Sequence, residues 1–225
     1  MELRIHPSPE AVTEAASRRV AGLIAGGEDR FTFGVAGGTT PASTYRALRE
    51  LGPGWARVRA WLSDERWVPP DSERSNGRMA AETLFDHVDA TLELPRWGEF
   101  ITPEDSAAHY EAWLRSVHGV NPPDLILLGM GEDGHTASLF PGTPALDEAN
   151  RWYVANPVAQ IGEMRLTATF PLLWRARLLM VLVVGAGKAA ALKASFDYET
   201  PAGRLGDGDA EVEWYVDREA ASHIA

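Results

Sequence analysis

The 225-residue chain contains no cysteine. That one absence excludes a disulfide framework, a thiolate metal site and a cysteine nucleophile. Lysine is scarce: only Lys188 and Lys193 occur, against nineteen arginines. The arginine bias reads mainly as base composition of the gene, which makes a lysine at a glycine-rich turn more noticeable. No long apolar run is present. The longest wholly apolar stretch, Leu178 to Val184, falls far short of the roughly 20 residues a bilayer-spanning helix needs. The opening Met-Glu-Leu-Arg-Ile-His-Pro lacks the basic and apolar regions of a signal peptide. Apart from His135, the histidines (His6, His87, His109, His118 and His223) are scattered. They form no ligand pair on a helix, so no metal is expected. Basic residues are outnumbered, and the net charge of −11 argues against nucleic acid, which needs a basic face. These readings predict a soluble cytoplasmic protein with no cofactor, no nucleic-acid partner and no membrane partner, either a monomer or a weak homo-oligomer. An anionic ligand would have to be held by a local cluster of donors against the average field of the chain.

The chain does have enough apolar material, 45%, for one sizeable core. No repeat, low-complexity tract or Gly/Ser linker divides it, so residues 1–225 are expected to form one domain. Apolar strands and amphipathic helices alternate almost throughout, the pattern of an α/β domain with a largely parallel sheet flanked by helices. Strands are predicted at Leu3 to His6, Phe31 to Ala36, Val58 to Leu62, Asp124 to Leu128, Trp152 to Ala155, Arg165 to Phe170 and Leu178 to Val184. A late strand, Val212 to Val216, is expected at an edge. Helices are predicted from Ser8-Pro9-Glu10, with an N-cap serine and proline at the first helical position, to about Ala25, and over Pro41 to Leu51. Further helices are expected over Asn76 to Phe85, Pro103 to Val117 and Lys188 to Phe196. The expected fold is a three-layer, Rossmann-like α/β domain.

The most informative segment runs Leu-Gly-Met-Gly-Glu-Asp-Gly-His-Thr-Ala-Ser-Leu-Phe-Pro, Leu128 to Pro141. A buried strand breaks into Gly129, Gly131 and Gly134, with Asp133 two residues before His135. Glycines let the backbone approach a ligand closely. A carboxylate beside an imidazole at the carboxyl end of a strand suits a general base with a partner to orient it. The other reading of such a strand end is a plain turn with a surface histidine. The ordinary imidazole pKa, near 6.5, leaves most of the group neutral at pH 7, as a base requires. Asp133 is expected to orient either the imidazole or the attacking water, and Glu132 to face solvent. Ser138 lacks the Gly-x-Ser-x-Gly surroundings of a nucleophile.

Three further segments follow strands. Gly37-Gly38-Thr39-Thr40-Pro41 joins a strand to a helix, and its N–H groups with two hydroxyls make an anion site. It lacks the lysine of a nucleotide-binding P-loop. Asp64-Glu65-Arg66 reads as a charged loop, in which Arg66 is suited to fork onto a phosphate with an acid beside it. Arg74-Ser75-Asn76 lies where that loop meets the next helix, with Ser75 or Asn76 as cap. Gly185-Ala-Gly-Lys188 places a cation at a helix N-terminus, where the helix dipole opposes it unless an anion binds. In an open parallel sheet the carboxyl ends of all strands face one side, so these loops are expected to converge on one crevice.

Four segments in order resemble the 6-phosphogluconolactonases: the His135 loop, Gly37 to Pro41, Ser63 to Val68 with Arg74-Ser75-Asn76, and Arg165 to Pro171 with Gly185 to Lys188. The resemblance spans about residue 34 to residue 190. It implies hydrolysis of a small-molecule sugar-phosphate lactone, 6-phosphogluconolactone, to 6-phosphogluconate in the oxidative pentose phosphate pathway. It also implies His135 and Asp133 as catalytic residues. Gly37, Gly38, Thr39, Thr40, Arg66, Arg165 and Lys188 would then hold the phosphate, with no metal and no cofactor. The glucosamine-6-phosphate deaminases have a similar Gly-x-Gly-x-Asp-Gly-His loop, but theirs continues with Ile-Ala-Phe-Asn-Glu-Pro. Here Thr136 to Pro141 follows with no acid before Asp147, and Arg66 stands where those enzymes have tyrosine. Both departures favour the lactonases over a deaminase or isomerase, and a non-catalytic sugar-phosphate sensor is disfavoured because His135 and Asp133 are both kept and no helix-turn-helix module is evident.

Overall fold

The computed structural model describes residues 1–27 and 30–224. Its strands are β1 (Glu2–His6), β2 (Phe31–Val35), β3 (Val58–Leu62), β4 (Asp64–Arg66), β5 (Thr91–Glu93), β6 (Leu125–Gly129), β7 (Tyr153–Val158), β8 (Glu163–Ala168), β9 (Leu178–Val183) and β10 (Glu211–Asp217). The helices are α1 (Pro9–Gly26), α2 (Thr39–Leu51), α3 (Asn76–Thr83), α4 (Pro103–His118), α5 (Phe170–Leu173) and α6 (Ala189–Phe196). Seven strands form a parallel sheet in the order β1-β10-β9-β6-β2-β3-β5. The remaining three, β4-β8-β7, form a small antiparallel sheet.

Period-two alternation sorts the central strands between two cores. Leu125 and Leu127 of β6 pack with Val12, Val20 and Ile24 of α1 and with Tyr45 and Leu48 of α2. Ile126 and Leu128 face the other way, toward Tyr110 and Leu114 of α4, Leu192 of α6 and the antiparallel sheet. The result is the three-layer α/β architecture expected. Both faces of the sheet are covered, so β9 is apolar and buried at every position, as parallel strands generally are. Truncating one of these leucines to alanine costs about 2–5 kcal/mol.

The helix starts follow local chemistry. Ser8 Oγ accepts from Ala11 N–H at 3.3 Å with Pro9 in the first turn, and Thr102 caps α4 in the same way. Ser75, rather than Asn76, caps α3. Lys188 closes a 3-10 turn, Ala186–Lys188, and α6 begins at Ala189.

Several elements differ from expectation, among them the strand expected to run to Phe170, which ends at Ala168 where Phe170 opens α5. Residues Val212 to Val216 do not lie at an edge: β10 sits between β1 and β9, and the more exposed β1 takes the edge. Asp64-Glu65-Arg66 is a strand, created by antiparallel pairing with β8. The short β5, at the opposite edge, has no apolar periodicity to reveal it. The sheet order reverses between β2 and β6, so their carboxyl ends open the crevice in which ligands of such sheets bind.

Candidate active site

A cavity of about 470 Å³ opens at the carboxyl end of the parallel sheet. Gly37, Gly38, Thr39, Thr40, Arg66, His135, Arg165 and Lys188 all line it, drawn from the ends of β2, β4, β6 and β9 and from β8. Asp133 does not line the cavity; it stands behind His135. The convergence expected from element order is thus present.

The histidine loop is built for one geometry. Asp133 Oδ1 lies 2.6 Å from His135 Nδ1 and also accepts from the His135 backbone N–H at 3.1 Å. With Nδ1 facing a carboxylate, the proton belongs on Nδ1 and the lone pair on Nε2. Burial acts to raise the Asp133 carboxyl, but the hydrogen bonds from His135 and the electrostatic attraction of that residue outweigh it and hold the group below its ordinary value. Asp133 therefore stays ionised through neutral pH. The imidazole stacks on Phe140, ring centroids 3.9 Å apart. Gly131 is required because a Cβ there would lie 2.1 Å from His135 Nδ1 and 2.5 Å from Asp133 Oδ1. Gly134 holds φ +77°, in the left-handed region that favours glycine. The N–H groups of Gly131 and Gly134 are already spent, donating to His135 O and Gly131 O. They are not free to donate to an oxyanion. Glu132 is exposed, as anticipated.

The opposite wall is cationic. Arg66 and Arg165 sit on the same rung of the β4–β8 ladder, where like charges repel. Arg165 is buried, with Nη2 2.6 Å from Glu163 Oε2. Burial lowers its pKa, Asp64 raises it and Arg66 lowers it again, for a net fall; arginine nevertheless keeps its proton in proteins. Arg66 Nη1 donates to Arg74 O at 2.6 Å. The Nε atoms of both arginines are buried without a hydrogen-bond partner. Buried donors are normally satisfied; these two guanidinium N–H groups are not, and both side chains line the cavity. The acid beside Arg66 does not hold its guanidinium as expected. Glu65 instead accepts from Ser75 Oγ and from the N–H groups of Arg66, Asn76 and Gly77, while burial pushes its carboxyl up.

The start of α2 completes the wall. Gly38, the N-cap, has φ +106° and offers no side chain to the first turn. The N–H groups of that turn have no side-chain acceptor and point their dipole at the cavity. Gly37 must be glycine because a Cβ would lie 1.9 Å from Asn76 Oδ1. Tyr45 fixes the preceding residue, its hydroxyl bonding Ala36 N and O at 2.9 Å each.

Sequence reasoning did not place Asp64 or Phe140 at the site and gave Asn76 only a supporting role; all three line the cavity. Asp64 is buried and accepts from Ser138 Oγ at 2.7 Å, and Ser138 is itself fully buried and does not line the cavity. Only the alternation Asp64/Arg66 along a strand would have placed both on one face, and that segment read as a loop. Among the described residues one group of three carboxylates has metal-like spacing, Glu2, Glu211 and Glu213. It belongs to the β1–β10 ladder, outside this cavity, and Glu213 is held there by Arg4 and Arg19.

Comparison with known proteins bears on the family and the fold. The family model described as glucosamine-6-phosphate isomerases/6-phosphogluconolactonase matches residues 7–214. A 6-phosphogluconolactonase of Synechocystis sp. is 36% identical, the match covering 95% of this chain and 89% of the relative. One from Rhizobium meliloti is also 36% identical, with 84% and 85% covered. The solved structure of 6-phosphogluconolactonase from Trypanosoma brucei superposes with a TM-score of 0.86 at 27% identity, covering 100% of this chain and 98% of that one. With the family model matching most of its length and relatives 36% identical over most of both chains, this chain belongs to the glucosamine-6-phosphate isomerase/6-phosphogluconolactonase family.

Proposed function

We propose that the cavity hydrolyses 6-phospho-D-glucono-1,5-lactone to 6-phosphogluconate, the lactonase activity that the relatives' names carry. The observation that carries this reading is the pairing, across one cavity, of His135 with two arginines that have orphaned donors. His135 Nε2 takes a proton from water as the water oxygen bonds to the lactone carbonyl carbon. The carbonyl electron pair moves onto oxygen. The Gly131 and Gly134 N–H groups are spent within the loop and do not donate to that oxyanion. Collapse of the intermediate breaks the bond to the ring oxygen, which receives the proton held by the imidazolium. Asp133, ionised and bonded to Nδ1, orients the ring and stabilises the imidazolium. Arg66, Arg165, Lys188 and the Gly37–Thr40 turn hold the phosphate. A positioned base contributes on the order of 10²–10⁴-fold.

This is a reading of one domain, working as a monomer or weak homo-oligomer in the cytoplasm, in the oxidative pentose phosphate pathway, with no nucleic-acid partner, metal or cofactor. No helix of the described residues is long and apolar enough to cross a membrane. The test is hydrolysis of freshly generated 6-phosphogluconolactone above its spontaneous rate, with and without EDTA. Wild type is expected to be active in both, and His135→Ala to lose about 10²–10⁴-fold in kcat. Activity abolished by chelator and restored by zinc overturns the metal-free mechanism, and a near-normal His135→Ala places the base elsewhere.

A further inference from the structure

The loop that carries His135 is fastened to the arginine wall by one buried residue. Ser138 is fully buried, and each of its polar groups goes to a different strand of the antiparallel sheet. Its Oγ donates to Asp64 Oδ2 on β4 at 2.7 Å, and its N–H donates to Thr167 Oγ1 on β8 at 3.1 Å. Its carbonyl accepts from Asn156 Nδ2 on β7 at 2.8 Å. Asp64 and Thr167 are themselves register partners, and the next same-face rung along the ladder is Arg66 with Arg165. Side chains two residues apart on a strand share a face. The two residues that grip Ser138 therefore stand one rung from the two that face the anion, on the same surface.

Two neighbours of Ser138 depend on this grip. Ala137 holds φ +48° without being glycine, a conformation that persists only where the surroundings impose it. Phe140 stacks on His135 and also receives the Arg165 guanidinium, 5.9 Å from its ring centroid. The ring thus occupies the space between base and cation.

We propose that Ser138, through Asp64 and Thr167, is a positioning residue that sets the distance between the His135 base and the arginine site for the substrate's phosphate. The inference rests on the lactonase reading above. Phosphate bound at Arg66 and Arg165 brings the lactone carbonyl to His135 only if the loop stays in register with the β4–β8 ladder. A misplacement of about 1 Å at a reacting centre costs about 10²-fold. Cutting the clamp leaves every phosphate donor in place, so binding persists while turnover falls.

The experiment uses two variants, Ser138→Ala and Thr167→Val, the second of similar volume and retaining the Ser138–Asp64 bond. Calorimetric titration with 6-phosphogluconate gives the number of intact sites and their Kd, and kcat is then expressed per intact site. The expected result is one site per chain, Kd within about threefold of wild type, and kcat per site lowered between about 10-fold and about 100-fold. Loss of folded protein would lower the site count and leave kcat per site unchanged. That outcome, or a Kd weakened in step with kcat/KM, overturns the proposal. If Ser138→Ala does not fold, Thr167→Val decides alone. Wild type is measured alongside; no lactone hydrolysis above the spontaneous rate there identifies failure of the lactonase reading itself, and the clamp falls with it.

Discussion

Replacing Arg165 by methionine separates what the arginine wall does for ligand from what it does for the fold. Arg165 is buried, its Nε has no partner, and it faces Arg66 on one rung. Removing it relieves a like-charge cross-strand pair, worth about 0.2–1 kcal/mol, and an unsatisfied buried donor, worth about 1–3 kcal/mol. Against this stands the loss of its ion pair with Glu163. Glu163 keeps Arg74 as a partner, so that carboxylate is not left alone. The terms oppose one another, and ligand-free stability is expected to change by no more than about 1 kcal/mol. Binding is different, because losing one partner of a desolvated charge costs about 2–5 kcal/mol. That corresponds to a fall in kcat/KM of about 30-fold to about 4,000-fold. The assay is thermal unfolding with and without 6-phosphogluconate. At 100 times its Kd the ligand adds about 2.7 kcal/mol to wild type, or about 5–11 °C in Tm for a chain of this size. At the same concentration Arg165→Met is expected to gain about 1 kcal/mol or less, about 2–4 °C at most. A variant that is already unfolded without ligand, or one that keeps the full ligand-induced shift, refutes the assignment of Arg165 to the anion.

Gly131→Ala tests the close packing of the His135–Asp133 pair. The residue does not need a positive φ, so the added Cβ acts by displacing His135 and Asp133. A loss of kcat up to about 10²–10⁴-fold with near-normal unfolding is expected, and unchanged kcat shows that the pair is not tightly held. His118→Phe tests acid sensitivity. His118 is fully buried against Trp61 with both ring nitrogens unpartnered. Burial first, with nearby Arg30 and Arg175 in support, pulls its pKa down to about 4. The unfolded chain then binds the extra proton at a higher pH than the native state does. Stability is therefore lost as pH falls from about 6.5 toward about 4, by up to about 3 kcal/mol. Urea unfolding at pH 7 and pH 4 should show a smaller drop in the variant. An equal drop places the acid sensitivity in other groups.

Much of this molecule is legible in one dimension. The apolar runs of β2, β6 and β9, the proline and serine at the start of α1, and the glycines after each strand all act through the local backbone. Period and turn chemistry report such features directly. Parallel strands also put their carboxyl ends on one side, so the meeting of Gly37, Arg66, His135 and Lys188 followed from element order alone. Pairing between distant segments was not legible. Nothing within Asp64-Glu65-Arg66 marks it as a strand, because its partner, β8, lies about a hundred residues away and supplies the ladder. For the same reason β10 looked like an edge: its interior place depends on β1, the first strand of the chain, docking beside it. The roles of the acids were decided in the same way. Asp133 reaches its histidine within the loop and was found from spacing. Asp64 meets Ser138, and Glu65 meets the start of α3, only once the strands are paired. Local chemistry writes itself into sequence spacing, whereas a buried polar contact between remote strands exists only after the sheet has set their register.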